Sequence, residues 1–130
     1  MSNKKNHYLN LAFAGLAAVL SLSACSTTSK NVINLPFQAF GNEPGWSVEI
    51  DQERQAEVLL NYGERTFTIN LPAPEYSYAG THYRSTYNQQ PLALDILYAT
   101  CSDTMSDERF EYKVAFSIEG QVLRGCGRVR

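Results

Sequence analysis

Short runs of alternating apolar and polar residues dominate the chain from residue 37 onward. In residues 46–51 the apolar side chains of Trp46, Val48 and Ile50 fall on one face and polar residues fall on the other. A period of two residues is typical of a β-strand with one buried face. Similar patterns predict strands at residues 56–62, 66–71, 82–87, 92–101, 111–118 and 121–127, preceded by an apolar stretch at 37–40.

Turn residues separate these strands at short and regular intervals. Pro72 and Pro74 end the first three-stranded meander, because neither can donate a hydrogen bond to a β-ladder. A polar segment at 102–109 predicts one short helical turn, which Ser102 or Asp103 would cap. We therefore expect an all-β domain of about seven to eight strands, either a small antiparallel barrel or a sandwich. A barrel is favoured, since closing a sheet removes its exposed edges.

The N-terminal segment follows a different pattern. Lys4 and Lys5 precede an apolar run at 8–20, which is shorter than the ~20 residues of a membrane-spanning helix. This arrangement is typical of a secretory signal peptide, and an uncleaved anchor helix is the alternative. The sequence Leu-Ser-Ala-Cys at 22–25 is the pattern that bacterial lipoprotein signal peptidase recognises. We expect a signal peptide at 1–24, a polar tether at 25–35 and a β domain at 36–130.

Cleavage before Cys25 would make this residue the membrane anchor. Its amino group would receive a fatty acid such as palmitate, and its thiol would receive a diacylglyceryl group. Several acyl chains together anchor a protein firmly in a membrane, whereas a single one does not. Ser26 follows the cysteine, whereas an Asp at this position would favour the inner membrane of a bacterium with two membranes. The sequence therefore predicts an outer-membrane lipoprotein that faces the periplasm.

Charge and cysteine content narrow the possible partners. The formal net charge is −2, and loss of Lys4 and Lys5 with the signal peptide would lower it to −4. No basic run that could follow a phosphate backbone remains, so nucleic acid is not an expected partner. With Cys25 lipidated, Cys101 and Cys126 remain, and an exported chain usually joins such a pair in a disulfide. The alternative, a metal-binding pair, would need further Cys or His ligands.

Residues suited to catalysis or metal binding are few. His82 is the single histidine after the signal peptide and no Gly-x-Ser-x-Gly motif occurs, so serine-type catalysis is not expected. Asp103, Asp107 and Glu108 are close enough in sequence for acid–base chemistry or a calcium site, but a solvated, capped turn also explains them. We therefore predict no enzymatic activity, no cofactor and no metal site.

Two segments carry residues suited to binding a partner. Residues 41–46 either form a turn that delivers Trp46 into the core or present Asn42 and Glu43 on a rigid loop. Residues 75–83 are rich in tyrosine, which offers a large contact area at low entropic cost and also occurs in barrel interiors. The candidate binding residues are Asn42, Glu43, Trp46, Tyr76, Tyr78, Tyr83, Asp103 and Asp107.

Three motifs together resemble those of a family of uncharacterised bacterial envelope lipoproteins. They are Phe-Gly-Asn-Glu-Pro-Gly-Trp at 40–46, Cys-Ser-Asp-Thr-Met-Ser-Asp at 101–107 and Leu-Arg-Gly-Cys-Gly-Arg at 123–128. Members of this family are similar to small β-rich envelope domains, and some are fused to a lysozyme-inhibitor domain of the membrane-bound type. The fusion implies an envelope-protection context for the family and assigns no activity to this chain. The family often has Gly at position 104, where this chain has Thr104.

These observations predict a lipid-anchored periplasmic protein that binds a partner without catalysing a reaction. Membrane lipid would hold the acylated Cys25. The partner would be an envelope protein or a foreign protein, which an inhibitor-like module would block. The alternative is a structural or small-ligand-binding lipoprotein with a pocket in the mouth of the barrel.

Overall fold

The computed structural model describes residues 32–130, which form a single antiparallel sheet. Its strands are β1 (Phe37–Asn42), β2 (Gly45–Ile50), β3 (Gln55–Leu60), β4 (Arg65–Asn70), β5 (Glu75–Tyr76), β6 (Gly80–Tyr87), β7 (Gln90–Ser102), β8 (Arg109–Ile118) and β9 (Gln121–Val129). A 3-10 turn at Asn61–Gly63 is the one helical element among these residues. The prediction of an all-β antiparallel domain is confirmed.

The strand order is β4-β3-β2-β1-β9-β8-β7-β6-β5, so the sheet consists of two meanders joined in the middle. Within each meander, consecutive strands pair through short connections, as the alternating runs and turn residues predict. The two meanders meet where β1 pairs with β9, with Phe37 opposite Val129 and Phe40 opposite Cys126. The first and last strands of the domain therefore lie side by side at the centre of the sheet.

The sheet curls into a half-barrel, which brings β4 close to β6 across an open seam. Phe67 of β4 and Tyr87 of β6 stack with their ring centroids 4.1 Å apart. At one end of this seam Arg65 forms a bidentate ion pair with Glu119, with nitrogen–oxygen distances of 2.8 and 3.1 Å. No hydrogen-bonded ladder joins β4 to β6 in residues 32–130. Side-chain contacts therefore close the half-barrel where the backbone does not.

Inward-facing side chains of both meanders fill the interior of the half-barrel. Trp46, Val48 and Ile50, which the alternating pattern placed on one face, are all buried. Full burial of one such side chain contributes about 1.5–3 kcal/mol relative to leaving it in water. The most completely buried side chains of this core are Tyr83, Phe37, Phe116, Ile50, Leu92, Leu94, Ile96, Val48 and Val58.

A tight turn sets the register between β6 and β7. Asn88 and Gln89 have φ angles of 49° and 63°. Positive φ at both central residues is characteristic of a type I′ turn, which suits the right-handed twist of a two-stranded hairpin. This turn places His82 of β6 directly opposite Asp95 of β7.

The helical turn lies at a different place from the one predicted. The polar segment at 102–109 forms a hydrogen-bonded turn without a helix, whereas the 3-10 turn follows β3. Tyr62, which the alternating pattern placed at the end of a strand, lies in the 3-10 turn with a φ of 56° and is exposed. The alternation of apolar and polar residues did not predict this 3-10 turn, because the alternation continues as far as Tyr62. The turn residue Gly63 follows directly, so no separate signal marks the earlier end of the strand.

The segment before β1 already contacts the core. Ile33 is buried in the main cluster and Leu35 packs against it, although both fall within the predicted tether at 25–35. The predicted signal peptide at 1–24 and the predicted lipidation site Cys25 lie outside the described residues. Residues 32–130 contain no helix with the length and apolarity needed to cross a membrane.

Candidate functional site

The turn between β1 and β2 depends on the glycine and tryptophan of the motif at 40–46. A Cβ atom on Gly41 would overlap Nε1 of Trp46, so glycine leaves room for the indole. Trp46 is buried against Phe116 and donates a hydrogen bond from Nε1 to the carbonyl oxygen of Arg124 at 3.3 Å. Trp46 thus anchors the turn to β9 and is not presented to solvent.

Tyr62 holds the same turn from the outside. Its ring covers Gly45, where a Cβ atom would overlap the ring carbons. Its hydroxyl donates a hydrogen bond to the carbonyl oxygen of Asn42 at 2.7 Å. Because Trp46 fixes one side of the turn and Tyr62 the other, Asn42 and Glu43 occupy defined positions.

Asp103 organises the turn between β7 and β8. Its Oδ1 accepts a hydrogen bond from the N–H of Met105 at 3.1 Å, and its Oδ2 accepts one from the hydroxyl of Ser106 at 2.8 Å. A side chain that bonds its local backbone in this way stabilises a turn. The left-handed position of the turn is Asp107, with a φ of 55°, so no glycine is needed at Thr104. Asp103 therefore stabilises a turn here, and the helical turn that it was predicted to cap does not form.

A hydrogen bond joins these two turns. Nδ2 of Asn42 donates to Oδ1 of Asp103 at 2.7 Å, and the two residues are 61 positions apart in the sequence. The bond is partly buried and its acceptor carries a charge, which makes such bonds about twice as strong as neutral ones. The β1–β2 turn and the β7–β8 turn therefore form one continuous wall.

The predicted disulfide between Cys101 of β7 and Cys126 of β9 is confirmed, and it passes over the intervening strand β8. Both half-cystines are buried beside Phe40 and Phe110, whose rings meet edge to face with centroids 4.9 Å apart. Sγ of Cys101 lies 3.4 Å from the carbonyl oxygen of Gly125, a packing contact because a disulfide sulfur carries no proton. These residues form a second, smaller core on the face of the sheet opposite the main one.

A cleft of about 380 Å³ lies between the two turns and the disulfide. We call it the outer cleft, because it opens on the face of the sheet that points away from the main core. Phe40, Leu97, Ala115 and the disulfide supply its apolar lining. Its volume falls at the lower end of the range for ligand sites, about 300–1,000 Å³. The outer cleft is therefore large enough for a small molecule or for one or two side chains of a protein.

Three charged side chains that line the outer cleft remain available to a bound molecule. Glu43, Lys113 and Arg124 form no salt bridge with any residue of the described range 32–130. Asp103 differs from them, because its two oxygens already accept the hydrogen bonds described above. Within the same range no group of three or more His, Cys, Asp or Glu is arranged to hold a metal ion.

The other candidate residues lie away from the outer cleft. Tyr83 is 1% exposed in the main core, and burial raises the pKa of its phenol above the ordinary value. Tyr76 and Tyr78 are exposed on β5 and in the turn that follows it, at the edge of the sheet. Asp107 is exposed and does not line the cleft. Asn42, Glu43 and Asp103 are therefore the candidates that converge, and neither Tyr76 nor Tyr78 lines the outer cleft.

A chain of hydrogen bonds that the sequence did not reveal lies on the same face of the sheet. Oγ of Ser77 lies 2.7 Å from Nε2 of His82, and Nδ1 of His82 lies 2.7 Å from Oδ1 of Asp95. Nη2 of Arg84 contacts the same Oδ1 at 2.7 Å. Partial burial alone would raise the pKa of Asp95, but the hydrogen bonds from His82 and Arg84 outweigh burial and lower it.

One of these contacts, that between His82 and Asp95, could have been predicted from the turn between β6 and β7. A two-residue turn at Asn88 and Gln89 places His82 opposite Asp95 and both side chains on the outer face. Ser77 could not be placed in the same way. It lies in the connection between β5 and β6, where its N–H donates to the carbonyl oxygen of Gly80 at 2.9 Å. That local hydrogen bond has no signature in the pattern of apolar and polar residues.

No family model, curated protein or solved structure matches this chain. The family resemblance of the three motifs therefore stays a prediction, and any function must be proposed from the geometry of the chain itself.

Proposed function

We propose that this chain is a lipid-anchored envelope protein whose outer cleft binds a partner protein. The observation that supports the proposal best is the pair of cations at the outer cleft. Lys113 and Arg124 border an apolar lining and have no ion-pair partner in residues 32–130. An apolar centre with charged groups at its margin is the usual composition of a protein-binding surface.

The charges indicate what kind of group the partner presents. Lys113 and Arg124 favour a carboxylate, while Glu43, which also lines the cleft, disfavours a group with several negative charges. An apolar side chain would rest on Leu97 and Ala115. The partner is therefore expected to insert a loop in which an apolar residue stands next to an acidic one.

The walls of the outer cleft are rigid, which favours binding. The disulfide lines the cleft, and the bond between Asn42 and Asp103 joins the two turns that border it. A preformed site binds more tightly, because little conformational entropy is lost on association. The family resemblance supports an inhibitor-like role, in which the partner is an enzyme that attacks the cell envelope.

Site-specific photocrosslinking of the full-length, membrane-attached chain would test this binding function. A photoreactive residue at Leu97, in the cleft, should capture a defined protein partner. The same residue at Thr66, which is exposed on β4, should not. Ala115→Trp should abolish the Leu97 product by filling the cleft, whereas Ser117→Trp on the same strand and face should preserve it. Equal products from Leu97 and Thr66, or persistence of the Leu97 product in Ala115→Trp, would exclude the outer cleft as the binding site.

The alternative is a small-molecule ligand in the same cleft, which its volume of about 380 Å³ would also admit. Native mass spectrometry of the chain purified from its own membrane distinguishes the two. A bound molecule of low mass that disappears in Ala115→Trp, without a protein crosslink at Leu97, would favour the alternative.

The membrane anchor is a separate part of the proposal. Cys25→Ala should abolish acylation and also block cleavage before residue 25, so the variant should keep residues 1–24 and migrate at a higher mass than the wild type. Mass analysis of the N-terminal peptide should show acyl groups on Cys25. A membrane-bound chain whose Cys25 carries no lipid would contradict lipidation and leave the outer-cleft proposal intact.

A further inference from the structure

Ser77, His82 and Asp95 form a linear arrangement that extends across two strands and a turn. Both links are 2.7 Å long and they use opposite nitrogens of the His82 ring, with Ser77 at Nε2 and Asp95 at Nδ1. This is the connectivity by which a histidine activates a serine while a carboxylate orients the ring. The chain order serine, histidine, aspartate carries no weight, because the same geometry occurs with several orders.

The partners of His82 determine where the ring carries its proton. An ionised Asp95 can only accept hydrogen bonds, so Nδ1 must be protonated and donate to it. In the neutral ring Nε2 then bears a lone pair, and the hydroxyl of Ser77 donates to it. Oγ of Ser77 in turn accepts a hydrogen bond from the N–H of Ala79 at 3.2 Å. These bonds leave His82 in the tautomer that can take a proton from Ser77.

Asp95 is well suited to hold this tautomer. Its contacts with His82 and Arg84 keep the carboxyl group ionised at neutral pH. Arg84 is fixed in turn, because its Nη1 donates to the carbonyl oxygen of Tyr83 at 3.0 Å. The side chains of His82 and Asp95 are 17% and 27% exposed, so both are largely shielded from solvent, whereas Ser77 lies in an exposed turn.

The surroundings of Ser77 suit a substrate that is itself exposed on a larger molecule. Tyr76 and the 99% exposed Tyr78 flank it, and aromatic faces bind apolar and sugar-like surfaces. The outer cleft adjoins His82 and Asp95. Two of its lining residues pair with their strands, since Leu97 lies opposite Gly80 and Ala115 lies opposite Asp95.

We propose that Ser77 is a nucleophile that accepts an acyl group from esters, with His82 as general base and Asp95 as the residue that positions it. This activity goes beyond binding in the outer cleft and uses none of the residues proposed for that binding. It also revises the expectation, drawn from the sequence, that the chain is not an enzyme.

The reaction requires no cofactor. Ser77 Oγ attacks the carbonyl carbon of the ester, its proton passes to Nε2 of His82, and the carbon–oxygen bond to the alcohol breaks as that proton is delivered to the departing oxygen. Acyl-Ser77 remains. A water molecule then attacks the acyl carbon, gives a proton to His82 and the acyl group leaves as a carboxylic acid, while the proton returns to Oγ. Ester and water are converted to alcohol and acid, with no change of oxidation state.

Active-site labelling of the intact chain tests the proposal. A fluorophosphonate, or p-nitrophenyl acetate with peptide mapping by mass spectrometry, should modify Ser77 selectively over other exposed serines. Ser77→Ala should abolish the adduct, and Ser102→Ala should leave it unchanged as the matched control. His82→Gln should slow labelling by a factor of about 10²–10⁴, the usual contribution of a general base.

The Asp95→Asn variant tests whether Asp95 positions His82 for the reaction of Ser77. It should slow labelling of Ser77 and change the pH profile of labelling while the chain remains folded, which urea denaturation would verify. The wild-type map decides the question even if a variant does not fold. Absence of a Ser77 adduct in the folded wild type, or labelling that is no faster than in the urea-unfolded chain, would overturn the proposal without affecting the outer cleft.

Discussion

Asn42 and Asp103 connect the two turns that carry the most distinctive motifs of the chain, through a hydrogen bond of 2.7 Å. Neither turn could hold the outer cleft alone. The β1–β2 turn is anchored to β9 by Trp46, and the β7–β8 turn is folded around Asp103 itself. The bond between them makes the wall of the cleft depend on both motifs at once.

Removal of this bond should lower stability by a measurable amount. Asn42→Ala should reduce the free energy of unfolding by about 1.5–3 kcal/mol, the usual range for a hydrogen bond to a charged group. Asp103→Ala should cost more, because it also releases Met105 and Ser106. Urea denaturation of both variants and of the double variant gives the coupling energy. Asp107→Asn is the control, and a coupling energy near zero would contradict the proposed link.

The disulfide should stabilise the domain strongly for its size. It links residues 25 positions apart, and the entropy of closing such a loop corresponds to about 3–4 kcal/mol. Replacing Cys101 and Cys126 together with alanine should lower the free energy of unfolding by that amount. The same change should weaken partner capture at Leu97, since the disulfide lines the cleft. A reducing agent should shift the denaturation midpoint of the wild type and leave that of the double variant unchanged; equal shifts would disprove the assignment.

The aromatic contact across the seam should be needed to hold the half-barrel closed. Tyr87→Ala removes the stack on Phe67 and should cost about 1–3 kcal/mol, because both rings are only partly buried. Tyr87→Phe keeps the ring and should cost much less. Thermal denaturation of the two variants measures the difference. An equal loss of stability in both variants would show that the hydroxyl group of Tyr87, rather than its stacked ring, stabilises the seam.

Asp95 should make the domain sensitive to acid. Its folded-state pKa is depressed by the hydrogen bonds from His82 and Arg84, which outweigh the opposing effect of burial. The resulting stability is therefore present above the unfolded-state pKa, about 3.9, and is lost as the pH falls through the lower folded-state value. Asp95→Asn should flatten this acid limb in urea titrations between about pH 5 and pH 2. Glu57→Gln changes an exposed carboxylate on β3 that forms no ion pair with any residue of the range 32–130, and it should leave the acid limb unaltered.

The sheet was largely predictable because its strands obey a simple physical rule. Each strand buries one face, so alternation is visible wherever the chain is extended, as in the segment containing Trp46, Val48 and Ile50. The curl of the sheet was harder to predict from the sequence. It depends on contacts such as that between Phe67 and Tyr87, which join strands far apart in the strand order. A period of two residues carries no information about such contacts.

The candidate site was predicted only in part, and for a related reason. Asn42, Glu43 and Asp103 belong to turn motifs with unusual composition, and the structure brings them to one cleft. Composition alone could not separate the buried Tyr83 from the exposed Tyr78, because tyrosine suits both environments. Lys113 and Arg124 were not singled out, since a cation on the polar face of a strand is ordinary until its neighbours are known.

The central position of β9 has a consequence for how the chain is made. β9 pairs with β1 on one side and with β8 on the other, yet it is the last of the nine strands of this sheet to be synthesised. Any product that ends before residue 121 contains two separate half-sheets, each with an uncovered edge at the middle of the domain. The central pairings of the sheet can therefore form only after β9 (Gln121–Val129) has been synthesised and has left the ribosome.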